Sequence, residues 1–208
     1  MESKPYTIVV WGDSIAAQGS ERWPERVDTY LKVVCHPGCE TKVVNSAICG
    51  KPACHARNEF VDKVLKHEPD LVIIQFGFND LRHDGSRDGL PLSTPDEFRR
   101  HIAELIHLCH TEAGADVLVF GNHKARSLLL MPTGITYDAT RALYNEQARR
   151  AAAEAGARYV DMSSALMLDG VSWSSIVCDD GVHLSNLGVS LYSHVAMNEI
   201  ADMIRNRE

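Results

Sequence analysis

Short apolar runs alternate along this chain with longer segments of helical period. Tyr6–Trp11, Thr41–Asn45, Leu71–Phe76, Asp116–Phe120 and Arg158–Val160 read as strands. A helix is predicted over Trp23–Val34, with Pro24 early and Val27, Tyr30, Leu31 and Val34 at i, i+3, i+4 and i+7. A second, over Ala56–His67, would bury Phe60, Val61, Val64 and Leu65. In the third, Thr94-Pro95-Asp96-Glu97 supplies an N-cap, a proline at N1 and a capping-box glutamate, ahead of the stripe Phe98, Ile102, Leu105, Ile106 and Cys109. A fourth runs over Asp138–Ala155 and stops before Gly156. The last, Asn186–Arg205, carries Leu187, Leu191, Val195, Met203 and Ile204.

Strand–helix alternation of this kind predicts an α/β fold with helices on both faces of a parallel sheet. Five strands and five helices fit a three-layer α/β/α, flavodoxin-like sandwich with strand order 2-1-3-4-5. No repeat, low-complexity tract or linker divides the chain, so residues 1–208 are expected to form a single domain. Net charge is -7, with no Lys/Arg-rich block, which disfavours nucleic acid as a partner. No stretch reaches membrane-spanning length, and Met1-Glu2-Ser3-Lys4-Pro5 runs into the first strand without the apolar core of a signal peptide. The expected location is cytoplasmic. The six cysteines are then expected to be free thiols. A Cys35–Cys39 or Cys49–Cys54 disulfide is the alternative, and a zinc site drawn from Cys35, His36, Cys39, Cys54 and His55 lacks a C-x-x-C repeat.

Candidate chemistry gathers just beyond the predicted strands. Gly12-Asp13-Ser14 follows the first strand, where a tight turn would present the hydroxyl; a Ser14 that merely caps the next helix is the plainer reading. Asn45-Ser46-Ala47-Ile48-Cys49-Gly50 and Gly77-Phe78-Asn79-Asp80 follow the second and third strands, and Asp180-Gly181-Val182-His183 stands near the far end. In an open α/β sheet, ligands sit beyond the carboxyl ends of the strands, where all four blocks fall. These blocks, in this order, resemble those of the SGNH hydrolases, the GDSL esterase/lipase family. The resemblance implies Ser14 as nucleophile, Asp180 and His183 completing a triad, and Ser14, Gly50 and Asn79 as oxyanion-hole donors, with no metal or organic cofactor. The family's second block usually carries a further glycine, where this chain has Ala47-Ile48-Cys49. Asp179 is an adjacent acid, but the family's spacing of three selects Asp180.

The expected activity is hydrolysis, through an acyl-enzyme, of a small-molecule ester bearing a small acyl group such as acetyl on a polar alcohol such as a sugar. A thioesterase or lysophospholipase of the same family is the alternative. A non-catalytic flavodoxin-like binding module would have no need of the Ser14/Asp180/His183 set, and a metal-dependent phosphoesterase built on Asp13, His55 and His183 lacks a second ligand cluster. The α/β-hydrolase pattern G-x-S-x-G fails, since Ser14 follows the first strand and Ala16 stands where the second glycine would. Asp13, Arg82, His83, Lys124, Arg126 and Trp173 are expected substrate contacts. Arg87 adds to the cations on these loops, and Ser127–Met131 is a candidate apolar wall.

Overall fold

The computed structural model describes residues 4–34, 40–127 and 129–205; the side chain of Val34 also lies outside the description. Cys35, His36 and Cys39 therefore fall outside it, as does Leu128. In chain order the elements are β1 (Tyr6–Gly12), α1 (Ser14–Ala17), α2 (Trp23–Val34), β2 (Thr41–Asn45), α3 (Ala53–Ala56), α4 (Phe60–Lys63) and β3 (Leu71–Gln75). There follow α5 (Pro95–Thr111), β4 (Asp116–Gly121), α6 (Tyr137–Ala155), β5 (Arg158–Asp161), α7 (Met162–Ala165) and α8 (Asn186–Arg205).

The five strands form one parallel sheet in the order β2-β1-β3-β4-β5, as the alternation predicts. Successive side chains of a strand point to opposite faces. Val9 and Trp11 of β1, with Val72 and Ile74 of β3, pack against Phe60, Phe98 and Tyr144 on one side. Ile8, Val10, Leu71 and Ile73 face Trp23, Val27 and Tyr192 from α2 and α8 on the other. Covering both faces is what makes β3 apolar without alternation, with all of its five residues buried.

From β1 the chain first moves outward to β2, then crosses back to β3 on β1's other side. The two connections leave β1 and β3 in opposite directions, so their carboxyl ends border a crevice. The segments carrying Ser14 and Asn79 emerge on either side of it.

Local signals set the boundaries closely. Thr94 and Glu97 form the capping box of α5, and Gly156 ends α6 at φ 71°. Three readings need correction. The segment expected as one helix over Ala56–His67 is broken into α3, α4 and two 3-10 turns, and Val61 is exposed. Tyr30 of α2 is exposed, its place in the core taken by Trp23, which is fully buried against Phe120 and Tyr192. In α8 the buried side is Val189, Tyr192, Ala196 and Ile200, while Leu187 is exposed and Leu191, Val195, Met203 and Ile204 are only partly covered. Close approach at Gly188 explains this rotation of the helix.

A Cβ at Gly188 would meet the Ile176 carbonyl oxygen well inside contact distance, and that same oxygen accepts the Ser185 N–H at 2.9 Å. Gly188→Ala must push backbone aside, and is expected to cost about 1–3 kcal/mol, as overpacking does. At roughly 2–4 °C per kcal/mol for a chain of this size, thermal unfolding should register the loss. An unchanged melting temperature would show that the α8 contact gives way freely.

Candidate active site

The end of β1 sets the first part of the site. Gly12 leads to Asp13, which is wholly buried and caps α1 by accepting the Ile15 N–H at 3.0 Å. Ser14 is the first residue of α1, so its backbone N–H lies at a helix start and its hydroxyl emerges at the crevice. The position of Asp13 corrects its expected substrate contact: a carboxyl with no exposed surface holds backbone and side chains in place instead.

Asn79 follows β3 and meets Asp13 from the opposite side of the crevice. Its Nδ2 donates to Lys51 O at 3.3 Å and approaches Asp13 Oδ2 at 3.5 Å, while Arg82 Nη1 donates to its Oδ1 at 3.4 Å. The amide is thereby oriented, Oδ1 outward and Nδ2 toward Ser14's side. Next to it Asp80, also fully buried, accepts the Ala53 N–H at 3.0 and 3.1 Å and the Ser93 hydroxyl at 3.1 Å. Burial pushes both Asp13 and Asp80 up to about 7, and the charge of Asp80 adds to the shift at Asp13. Gly50 sits one residue before Lys51 at φ 75°, with open space where a Cβ would be. Its conformation, rather than crowding, calls for glycine. The loop that carries it is tied to β1 through Ile48 N–H to Gly12 O at 3.0 Å.

The third part arrives from 169 residues away in sequence. His183 Nε2 lies 2.9 Å from Ser14 Oγ, and His183 Nδ1 lies 2.6 Å from Asp180 Oδ2. Asp180 Oδ1 also accepts the Val182 and His183 N–H groups, each at 2.9 Å. Burial works against the Asp180 charge, but the hydrogen bonds from Val182 and His183 outweigh it and hold the carboxyl below its usual range. With Asp180 ionised, Nδ1–H donates to it and the Nε2 lone pair is left facing the serine hydroxyl. Hydroxyl, imidazole and carboxylate thus form a continuous line along which a proton can move from Ser14 Oγ to the ring. Asp179 lies outside this line; its carboxylate is fully exposed and pairs with Arg126 at 3.6 Å.

Residues that the motif reading did not single out as supports hold the Cys178–His183 turn. Cys178 N–H donates to His183 O at 2.7 Å, and Arg126 N–H donates to Gly181 O at 2.7 Å. The Arg126 guanidinium reaches Cys178 O at 3.2 Å. Buried His123 donates from Nε2 to Val182 O at 2.7 Å and packs on Phe78, with ring centroids 5.2 Å apart. Trp173 packs against His123 at 6.4 Å between centroids and belongs to the packing under this turn. Arg82 and Lys124 are exposed and His83 is half-buried. Arg87 is committed to Glu97 and to the Pro91 and Leu92 carbonyls. Of the expected apolar wall, Leu129 and Leu130 are exposed and Met131 is buried.

Asp13, His55 and His183 do not converge as a metal trio. Asp13 is occupied by Ile15 and Asn79, both ring nitrogens of His183 are engaged, and among the described residues no three His, Cys, Asp or Glu side chains gather in ligand geometry. Cys49, Cys54, Cys109 and Cys178 are free thiols.

Burial pushes His123 down to about 4. An unfolded histidine takes its proton near pH 6.5, so this group's contribution is complete above 6.5 and is lost as pH falls from there toward 4. Asp13 and Asp80 act in the opposite sense: they stay protonated in the fold up to about 7, so their contribution is greatest in acid and fades as pH rises from 3.8. The difference between wild type and His123→Phe isolates the histidine. Between pH 7 and 4.5 the variant should lose roughly 1–3 kcal/mol less stability than wild type. Parallel decline of the two in chemical denaturation would rule out this role.

No curated protein matches the chain significantly. Its fold is that of a lipase/acylhydrolase from Enterococcus faecalis, with TM-score 0.77, 23% identity, and 93% of this chain and 94% of that one covered. It is equally that of Axe2, an acetylxylan esterase from Geobacillus stearothermophilus, with TM-score 0.76, 19% identity and 96% of each chain covered. A GDSL-like lipase from Bacteroides thetaiotaomicron superposes with TM-score 0.72 at 16% identity, covering 95% of this chain and 89% of that one. The family model described as the GDSL-like Lipase/Acylhydrolase family matches residues 10–191, a span that holds every part of the site above. The chain belongs to the GDSL-like lipase/acylhydrolase family and is a carboxylic ester hydrolase.

Proposed function

We propose that the protein is a serine esterase that removes a small acyl group, such as acetyl, from a polar alcohol such as a sugar. The observation that carries this reading is the unbroken line from Ser14 Oγ through the His183 ring to Asp180, at 2.9 and 2.6 Å. Ser14 Oγ attacks the ester carbonyl carbon as His183 Nε2 takes its proton. Negative charge collects on the carbonyl oxygen, which faces the Ser14 and Gly50 N–H groups and Asn79 Nδ2. The long contact from Asn79 Nδ2 to Asp13 leaves that N–H weakly committed and able to turn to the oxyanion. The carbon–oxygen bond to the alcohol then breaks, and the alcohol departs with the proton from His183. Water, deprotonated by the same ring, hydrolyses the acyl-enzyme and releases the acid. The acyl and alcohol classes find support in the acetylxylan esterase among the similar structures. The four free thiols among the described residues accord with a reducing compartment such as the cytoplasm.

Ser14→Ala and His183→Ala should each remove nearly all turnover of an acetyl ester, and the double variant should be little worse than either. Asp180→Asn keeps the shape but favours the wrong tautomer, with an expected loss on the order of 10⁴ in kcat. Substantial turnover by Ser14→Ala would sink the mechanism.

Asn79→Ala should lower kcat by roughly 10² to 10³ with little change in KM, because the donor acts on charge that develops in the transition state. A loss confined to KM, measured with the same ester, would make Asn79 a ground-state contact.

A further inference from the structure

Ser14 and His183 open onto a cavity of about 190 Å³, closed on its other sides by Ile15, Leu184, Asn186 and Val189 and by the stretch after α1. Ser20 and Glu21 at its far wall also line a longer groove of about 660 Å³ along α2. The cavity by the serine and the groove on the helix are thus neighbouring parts of one depression. Asn79 and Gly50 do not line it.

Resting on the esterase reading above, we propose that this depression binds the alcohol half of the ester. A proton donor must stand within about 2.6–3.2 Å of the oxygen that it protonates, so the departing alcohol oxygen lies against His183 Nε2. The carbonyl oxygen points instead toward Asn79 and Gly50, away from the cavity. An alcohol leaving past His183 therefore enters the space walled by Leu184, Asn186 and Ser20, and anything attached to it extends along α2.

The groove also indicates the kind of alcohol. Its two acids and two arginines cancel: Arg22 pairs with Glu25 at 2.8 Å, and Arg26 pairs with Glu21. Arg26 also donates to Ser190 Oγ at 2.6 Å. With its charges paired off, the groove presents mostly carbon, Tyr30 and Val33 included, edged by polar groups, which suits an uncharged chain with both hydroxyl and C–H faces better than an anion. Beside these pairs Tyr30 is 45% exposed, and an unpacked ring of this kind can cover the C–H face of a sugar. The bound alcohol is accordingly an uncharged saccharide longer than one ring. This moves recognition of the alcohol from Arg82, Lys124 and Arg126, none of which lines either space, to the Ser20 side of His183.

Two ester series separate the halves of the substrate. One holds the acyl group constant, comparing methyl acetate with an acetylated trisaccharide. The other holds the alcohol constant, comparing methyl acetate, methyl butanoate and methyl octanoate. Ser20→Trp should lower kcat/KM for the acetylated trisaccharide relative to methyl acetate by at least about tenfold, with the acyl-length profile of wild type retained. Tyr30→Ala, an exposed change that leaves the core intact, should raise KM for the trisaccharide about fivefold relative to methyl acetate. If Ser20→Trp shifts the acyl-length profile and spares the trisaccharide ratio, the cavity holds the acyl group and the proposal is wrong. If neither series responds to either variant, the depression is not a substrate site. Wild-type protein that hydrolyses none of these esters would overturn the esterase reading itself, and the placement with it.

Discussion

The site depends on one buried carboxyl. Asp13 stands where β1 ends, out of contact with water, and it meets the start of α1 through Ile15 and the β3 loop through Asn79. A carboxyl in such a place is tolerated only when its oxygens find partners. The Asp13 backbone adds a firmer tie between the two strands that border the crevice, its N–H donating to Gln75 O at 3.2 Å. The same need is met one layer further along by Asp80, which ties the β3 loop to the start of α3 and to Ser93. These two groups are buried by a topology that turns the chain both ways out of the sheet centre. That burial is what pushes both carboxyls up to about 7.

The base arrives on a different principle. The Cys178–His183 turn is a surface loop with no place in the sheet, and most of its residues have solvent on one side. What fixes it is a set of backbone carbonyls accepting hydrogen bonds from below and beside: Val182 O from His123, Gly181 O from the Arg126 amide and Cys178 O from its guanidinium. The loop after β4 thus serves as a bracket. A base carried on a loop can hold a 2.9 Å relation to a hydroxyl on α1 because both are anchored to the carboxyl edge of one sheet. Asn122 extends the anchoring inward, bonded to Gln75, Phe76 and Asn145 in a buried polar layer beneath the crevice.

Much of this was legible in the residues themselves. Apolar runs without alternation require cover on both faces, which fixes a parallel sheet with helices on either side. Thr94 and Glu97 mark the start of α5 and Gly156 the end of α6, because caps are local chemistry. The positions of Ser14, Asn79, Asp180 and His183 were legible because the blocks that carry them, in that order, resemble those of the SGNH hydrolases.

Other features were decided only by packing. Helical spacing put Tyr30 inside and passed over Trp23, but the larger ring fills the gap between Phe120 and Tyr192. Gly188 brings α8 so near Ile176 that the helix turns Tyr192 and Ala196 inward in place of Leu187. Asp13 read as a surface contact because a sequence does not state depth, and the part Arg126 plays in bracing the Cys178–His183 turn was hidden because its carbonyl partners lie 52 residues or more away. The sequence determined which groups could do chemistry, through their types and their places after strands. Tertiary structure alone decided which of them face the crevice and which hold it together, because burial and long-range hydrogen bonds exist only once the sheet has closed.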